Sequence, residues 1–318
     1  MSRPTADAVF WNFLRGALMT RALAIVADLG VAEALAGGPK HVAVVAREVG
    51  ADPDRLERLL RALAGDGMFA EVASGVFANS EASELLRDPS RSAFAHLFGG
   101  TYYRAVAELD ASGGLSAFSR AYGTDFWSWL GEHPAERAAF DQAMTNALRP
   151  SLDSLSSLDW RGDEVVVDVG GGSGLLLSEF LRDRPGMRGV VFDLPGTAPH
   201  ESSLRGQVEF VTGSFFESVP EGDAYVLSAV LHDWDDESAV AILQTIRACA
   251  PRHARLVIVD AVLGEAPTAW RWADLHVLAT LGGRERDEGR WRRVLAAGGF
   301  EPLHIGDGLI EARVGPSP

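Results

Sequence analysis

The chain has 318 residues, of which 47% are hydrophobic and 23% are charged, the composition of a soluble globular protein with one large or two ordinary domains. A formal net charge of −15 argues against nucleic acid as a partner, because phosphate binding requires clustered lysine and arginine. The one cysteine, Cys249, excludes a disulfide framework within the chain and fits a reducing compartment.

The N-terminal hundred residues are rich in Ala, Leu, Arg and Glu at helical spacing. No basic region followed by an apolar core begins the chain, and no stretch approaches about 18 uninterrupted apolar residues, so we expect a cytoplasmic protein without a membrane partner. Asp52 and Pro53 form a cap and first turn that begin one helix. The predicted elements are helices at 10–18, 22–29, 42–49 and 53–63, and strands at 69–72 and 76–78. Helices followed by a small hairpin are typical of a winged helix, which we predict over residues 1–98.

The remainder, residues 99–318, is predicted to form a second domain that begins with linker and pocket helices at 99–158. Past Trp160, short β-branched runs alternate with helical segments. The runs are 164–169, 188–193, 207–212, 223–229, 255–261, 300–305 and 309–313. Strands that alternate with helices predict an α/β fold with a mostly parallel, doubly wound sheet.

A glycine-rich turn follows the first of these runs. The run contains Asp168, and the turn has glycines at Gly170, Gly172 and Gly174, which is the pattern of the first βα unit of a nucleotide-binding sheet. The dinucleotide fingerprint needs one more glycine, where this chain has Leu175. A pyrophosphate needs bare backbone N–H groups at a helix N-terminus, whereas a cofactor without phosphate needs close backbone approach and acids. The turn therefore favours S-adenosylmethionine (SAM) over NAD.

Three further residues follow strands at the cofactor side of the predicted sheet. Asp193 ends the second strand about 20 residues past the glycines, where such sheets bind ribose hydroxyls. Ser214 and Phe215 follow the third strand and are placed to reach and stack on an adenine. The alternatives are a loop acid for Asp193 and a core position for Phe215.

His232 lies just past the fourth strand, at the end of the sheet where ligands bind. Histidine is the usual side chain for proton transfer at neutral pH, and a buried imidazole base needs a carboxylate on its second nitrogen. Asp260 and Glu285, at later strand and helix ends, could each supply it. The acids at 235–237 are interpreted as a helix cap and first turn, so we predict no metal site.

The motifs of this chain, taken in the order in which they occur along it, resemble those of the plant-type small-molecule O-methyltransferases and their bacterial polyketide-tailoring relatives. The resemblance covers nearly the whole chain, and the motifs that carry it are VDVGGGSG at 167–174, FDLP at 192–195, GSFF at 213–216, LHDW at 231–234, DLH at 274–276 and GGRER at 282–286. The family has a SAM-binding Rossmann-like domain and an N-terminal winged helix that dimerises. The resemblance therefore implies a homodimer.

The resemblance also implies roles for individual residues. His232 matches the family's general base, and Asp260 and Glu285 match the two acids that hold its imidazole. The implied cofactor-binding residues are Asp168, Gly170, Gly172, Asp193, Leu194, Ser214, Phe215 and Ser228. Two of these depart from the family pattern, since Ser214 stands where aspartate is common and Ser228 where plant members often have lysine. The implied substrate-pocket residues are Phe140, Met144, Asn146, Trp272 and His276.

The resemblance implies transfer of a methyl group from SAM to a phenolic or enolic hydroxyl of a small aromatic or polyketide metabolite, with S-adenosylhomocysteine as product. One alternative is a relative that binds SAM without methylating, as hydroxylase-like and pericyclase-like members do. Another is a DNA-binding regulator, although Asp54 and Glu57 interleave with Arg55, Arg58 and Arg61 on its helix. The third is an NAD oxidoreductase.

Overall fold

The computed structural model describes residues 5–145, 148–197, 206–264 and 268–316. Its helices are α1 Ala6–Asp28, α2 Val31–Ala34, α3 Val42–Val49, α4 Pro53–Gly65, α5 Glu81–Glu84, α6 Pro89–Gly99, α7 Thr101–Val106, α8 Ala117–Tyr122, α9 Phe126–Glu132, α10 Pro134–Met144, α11 Leu148–Ser156, α12 Leu175–Leu181, α13 Asp236–Cys249, α14 Thr268–Thr280 and α15 Glu288–Ala297. Its strands are β1 Lys40–His41, β2 Phe69–Ala73, β3 Val76–Asn79, β4 Val165–Val169, β5 Arg188–Asp193, β6 Val208–Thr212, β7 Ala224–Ser228, β8 Arg255–Val259, β9 Val262–Leu263, β10 Arg286–Asp287, β11 Phe300–Gly306 and β12 Leu309–Val314.

The chain divides into two compact units. The first comprises Met1–Ala107 and Glu132–Asn146, and the second comprises Glu108–Gly131 and Ala147–Pro318. The chain therefore passes from one unit to the other three times, and α10 belongs with the N-terminal unit. The predicted boundary at residue 98 stays a prediction.

The N-terminal unit has the predicted arrangement of helices and a small hairpin. Asp52 caps α4 by accepting the backbone N–H of Arg55, and β2 and β3 form the hairpin of a three-stranded antiparallel sheet in the order β1-β3-β2. The predicted helices at 10–18 and 22–29 are one helix, α1. Residues 19–21, between the two predicted segments, continue the helix, and the hydroxyl of Thr20 donates to the carbonyl of Gly16 at 3.0 Å.

The two ends of α1 differ in exposure. The C-terminal part packs into the core of the unit through Ala22, Val26 and Ala27. The N-terminal part exposes large apolar side chains, among them Phe13 at 67% and Leu18 at 74%. Among the described residues, α1 alone is long and apolar enough to cross a membrane, a property that core helices and signal sequences share.

The second unit is built on a seven-stranded sheet in the order β11-β12-β8-β7-β4-β5-β6. Strands β4 to β8 run parallel, while β12 is antiparallel to β8 and β11 is antiparallel to β12. Apolar clusters cover both faces, one with α13 and α15 and the other with α11 and α12. The fold is the predicted Rossmann-like, doubly wound α/β architecture, and each predicted strand is found within about two residues of its expected limits. The carboxyl ends of the parallel strands lie along one edge, which is where ligands bind in such sheets.

Candidate active site

The turn after β4 is shaped by its glycines. Gly170, Gly172 and Gly174 all have positive φ angles, of 74°, 56° and 74°. A Cβ atom at Gly174 would lie 2.7 Å from the Phe210 ring and 2.9 Å from Val191, whereas one at Gly172 would meet nothing within 4 Å. The backbone therefore requires glycine at these positions, and the face of Gly172 is left open for close approach by a ligand.

Asp193 lies at the tip of β5 and contacts the glycine turn. Its Oδ2 accepts the backbone N–H of Gly172 at 2.7 Å, and its Oδ1 accepts the backbone N–H of Leu194 at 2.6 Å and the hydroxyl of Thr197 at 3.2 Å. These contacts hold the carboxylate beside the open face of the turn, the position expected for a ribose ligand.

Asp168 lies buried beneath the same turn, with 2% of its surface exposed. A Cβ atom at Gly171 would lie 2.6 Å from its carboxylate carbon, and its Oδ2 has no hydrogen-bond partner among the described residues. Burial, and then the charge of Asp193, raise the pKa of Asp168 to about 7. A buried acceptor without a donor is costly, and a cofactor carrying hydroxyl and ammonium donors fits an edge lined by two such acids.

The remaining predicted cofactor residues lie at or just past the ends of β5, β6 and β7. The Ser214 hydroxyl accepts the backbone N–H of Phe216 at 3.3 Å, and Ser228 donates to the hydroxyl of Ser151 at 2.9 Å. Phe215 packs edge-to-face on Trp234, with ring centroids 5.8 Å apart, and joins the core, while Leu194 is 40% exposed. Their cofactor contacts stay predictions.

His232 lies on a short 3₁₀ turn that directly follows β7. Its Nδ1 is 3.0 Å from Glu285 Oε1 and 3.5 Å from Asp260 Oδ1. Its Nε2 is 3.3 Å from Asp233 Oδ1. The structure therefore brings together the three residues predicted for proton transfer and adds a fourth, Asp233.

The two acids on the Nδ1 side are held by the pairing of β9 with β10. Asp260 follows β8, and the register of Val262 with Arg286 brings the chain just before β10 alongside it. The backbone N–H of Glu285 donates to Asp274 Oδ1 at 2.8 Å. The sequence patterns place Asp274 and Asp233 in motifs but predict no role for either residue. For Asp233, its position next to His232 in the sequence could have indicated the contact.

Opposing effects set the protonation of this cluster. Burial alone lowers the pKa of His232, but the negative charges of Asp260, Asp233 and Glu285 outweigh it and raise that pKa to about 10. Burial raises the pKa of Asp260 and of Asp233, against the opposing charge of His232. Carboxyl groups therefore face both Nδ1 and Nε2 and stabilise the protonated form of His232.

The predicted substrate-pocket residues are distributed between the two units. Phe140 and Met144 are half-buried on α10 of the first unit, while Trp272 and His276 lie on α14 of the second. Burial and the charge of His232 lower the pKa of His276 to about 4, so His276 is neutral at physiological pH. Asn146 falls outside the described residues, and the shared pocket stays a prediction.

Comparison with known proteins identifies the family. The model of the O-methyltransferase domain matches residues 102–301, and that of the O-methyltransferase dimerisation domain matches residues 11–88. The chain belongs to the O-methyltransferase family. The resemblance inferred from the motifs is confirmed, and the NAD oxidoreductase alternative is wrong.

The alignments of this O-methyltransferase with its relatives cover almost its whole length. It is 33% identical to the phenazine O-methyltransferase PhzM of Lysobacter antibioticus, with 96% of each chain covered. The structure of the mitomycin 7-O-methyltransferase MmcR superposes with a TM-score of 0.89 at 33% identity, covering 97% of this chain and 98% of that one. A third relative is the O-methyltransferase NcsB1 of neocarzinostatin biosynthesis, crystallised with S-adenosylhomocysteine and 1,4-dihydroxy-2-naphthoic acid. Its structure has a TM-score of 0.82 at 34% identity, covering 93% of this chain and 95% of that one. This chain is likewise a SAM-dependent O-methyltransferase, as the resemblance implied, and SAM is the cofactor that the glycine turn favoured.

Proposed function

We propose that this O-methyltransferase methylates a phenolic or enolic hydroxyl of a small aromatic or polyketide metabolite, with His232 as the general base. The observation that carries the proposal is the arrangement of His232. Its Nδ1 is hydrogen-bonded to Glu285, with Asp260 Oδ1 3.5 Å away, so Nε2 is the nitrogen that takes the proton of the substrate.

The protonation of His232 suits a phenol. A free phenol has a pKa near 10, so at neutral pH its oxygen keeps its proton and is a poor nucleophile. The pKa of His232, raised to about 10 after the carboxylates outweigh burial, is close to that value. Proton transfer between the two groups is therefore nearly thermoneutral, and Asp260 and Glu285 stabilise the imidazolium that forms.

The edge of the sheet supplies the cofactor contacts in this proposal. Asp193 would bind the ribose hydroxyls, the open face of Gly172 would allow close backbone approach, and the unpartnered oxygen of Asp168 would accept a hydrogen bond from a donor. When bound, SAM supplies a methyl group on a cationic sulfonium. The protein residues orient the acceptor hydroxyl, exclude water and remove its proton.

The substrate class rests on relatives and on the predicted pocket. Two of the relatives named above act on a phenazine and a mitomycin. The third, NcsB1, was crystallised with a dihydroxynaphthoic acid. An aromatic acceptor also suits the aromatic and thioether side chains of Phe140, Trp272 and Met144. We further propose a cytoplasmic homodimer, formed through the N-terminal unit that carries the dimerisation domain.

The test uses SAM labelled in its methyl group. The protein is incubated with 1,4-dihydroxy-2-naphthoic acid, with a panel of hydroxylated phenazines and naphthoates, and with an extract of the source cells, and the label is followed by mass spectrometry. A labelled methyl ether, formed by the unmodified protein and by His304→Ala but not by His232→Ala, supports the proposal. Calorimetric SAM binding without any labelled product from the panel or the extract contradicts it and favours the non-methylating alternative.

A further inference from the structure

Arg286, the last residue of the GGRER motif, is a fully buried cation for which the proposed chemistry has no role. Its guanidinium donates from Nη1 to the carbonyl of Leu231 at 2.7 Å, from Nη2 to the carbonyl of Trp234 at 2.7 Å, and from Nε to Asp236 Oδ1 at 2.9 Å. The guanidinium carbon lies 5.2 Å from the centre of the Trp291 ring. Removing a guanidinium from water costs several kcal/mol, so these contacts must be specific to hold it there.

The two carbonyls that Arg286 binds bracket the turn that carries His232. Leu231 and Trp234 lie on either side of His232 and Asp233, and the backbone N–H of Arg284 donates to the His232 carbonyl itself at 2.8 Å. The segment 284–286 therefore binds the turn at three carbonyls.

The glycine before this segment makes that approach possible. A Cβ atom at Gly283 would overlap the carbonyl oxygen of His232 and the carbonyl of Asp233. Only glycine leaves the backbones this close, so Gly283 and Arg286 serve the same contact.

The same segment also supplies Glu285 to the His232 ring. We propose that Arg286 is a positioning residue, which fixes the backbone of the 231–234 turn and thereby sets the distance between His232 Nδ1 and Glu285 Oε1. This inference rests on the proposed function, because it concerns the residue that we assign as the base.

Lysine cannot replace this function. The planar guanidinium presents donors in a fixed fork that spans two carbonyls and a carboxylate, whereas an ammonium is a point charge on a flexible stem. Arg286→Lys therefore keeps the charge and removes the geometry. Arg290 offers a matched control, because its Nε binds the other oxygen of Asp236 at 2.6 Å without contacting the turn carbonyls.

The test compares Arg286→Lys with Arg290→Gln in the full-length protein. We expect Arg286→Lys to lower kcat 10- to 100-fold while the Kd for SAM changes less than threefold, and Arg290→Gln to stay within twofold of the unmodified enzyme in both. In NMR titrations of histidine-labelled protein, the His232 resonance of Arg286→Lys should titrate at lower pH, because its contact with Glu285 is loosened, and that of Arg290→Gln should not move. A folded Arg286→Lys protein with kcat within twofold and an unchanged His232 titration would overturn the proposal.

Two further measurements keep the outcomes separate. If Arg286→Lys does not fold, Asp236→Asn removes one anchor of the guanidinium, and we expect a smaller loss of kcat with a His232 shift in the same direction. No shift in that variant would also count against Arg286. A double-mutant cycle with His232→Ala should show that Arg286→Lys has little additional effect on kcat, because Arg286 acts through His232. If His232→Ala alone keeps full activity, the proposed base is wrong, while the NMR titration still decides whether Arg286 positions the ring.

Discussion

Glu285 Oε1 lies 3.0 Å from His232 Nδ1, although the two residues are 53 positions apart in the chain. The contact fixes which imidazole nitrogen faces the protein, because a carboxylate beside Nδ1 favours the tautomer that carries its proton there. In the proposed reaction Nε2 is then the proton acceptor, and Asp233 is its neighbour at 3.3 Å.

Replacing His232 by alanine should lower kcat by roughly 10²- to 10⁴-fold, the usual contribution of a positioned general base. The affinity for SAM should change little, because the cofactor-binding turn lies on other strands. Steady-state kinetics and calorimetry measure the two quantities. His304→Ala, an exposed histidine on β11, is the control and should behave as the unmodified enzyme. Full activity of His232→Ala would mean that positioning of the reactants is sufficient.

Replacing Glu285 by glutamine should move the pH dependence of kcat to lower pH. The acting form of His232 is the neutral imidazole, so kcat should rise with pH towards the pKa of about 10 that the surrounding carboxylates impose against burial. Removing one carboxylate lowers that pKa, and the rising limb shifts in the same direction. The pH–rate profile at saturating SAM checks this, and an unshifted limb would show that another group titrates.

Replacing Asp168 by asparagine should change how stability depends on pH. Burial and the charge of Asp193 raise the folded-state pKa of Asp168 to about 7, above its unfolded value of 3.8. Between those values the folded state binds the proton and the unfolded state does not, so the stability of the unmodified protein falls as pH rises from about 4 to about 7. Asparagine does not titrate, so the variant does not lose stability in this way as the pH rises. Its free energy of unfolding relative to the unmodified protein should therefore rise over that window by about 3 kcal/mol.

Urea denaturation at several pH values measures this difference. Asp163→Asn, an exposed acid in the loop before β4, is the control and should run parallel to the unmodified protein. A difference between Asp168→Asn and the unmodified protein that is constant from pH 4 to 8 would contradict the raised pKa.

Replacing Gly174 by alanine should destabilise the second unit by about 2–4 kcal/mol. The residue has a φ angle of 74°, and the added Cβ would lie 2.7 Å from the Phe210 ring. Gly37→Ala is the matched control, because a Cβ there would meet nothing within 4 Å. Denaturation midpoints compare the two variants. Equal stability would mean that Phe210 and Val191 move aside without cost.

Replacing Phe13 and Leu18 together by serine should convert a homodimer into a monomer. Both side chains are among the most exposed apolar groups of α1, and burial of such groups stabilises association. Light scattering at micromolar protein concentration measures the oligomeric state. Leu303→Ser, which changes a leucine that is 54% exposed on β11, should leave the dimer intact. An unmodified protein that is already monomeric would contradict the dimer itself.

The sequence predicted the fold well where local pattern and burial agree. Strands β4, β5 and β8 contain runs of buried valine and isoleucine because they are covered on both faces, and the limits of β4 to β8 were predicted within about two residues. The join of two predicted helices into α1 was missed, because Thr20 and Arg21 interrupt the apolar spacing and a β-branched residue such as Thr20 is a weak helix former.

The site was predicted by residue type and motif rather than by contact. Asp260 and Glu285 were assigned to His232 by resemblance, since the pairing that unites them, β9 with β10, involves two residues in each strand and leaves no periodic signal. The contacts of Asp233, Asp274 and Arg286 are long-range or depend on a turn, so spacing alone could not assign them.

The course of the chain between its two compact units has a practical consequence for recombination among relatives. Residues 132–146 belong to the first unit, although the segments on both sides of them belong to the second. A chimera made with one crossover between residues 107 and 132 would therefore combine α10 from one parent with α6 from another, and the contact of Glu136 with His96 and Thr101 would be assembled from two sequences. Exchange of a whole unit between relatives therefore requires three crossovers, one at each passage of the chain between the units.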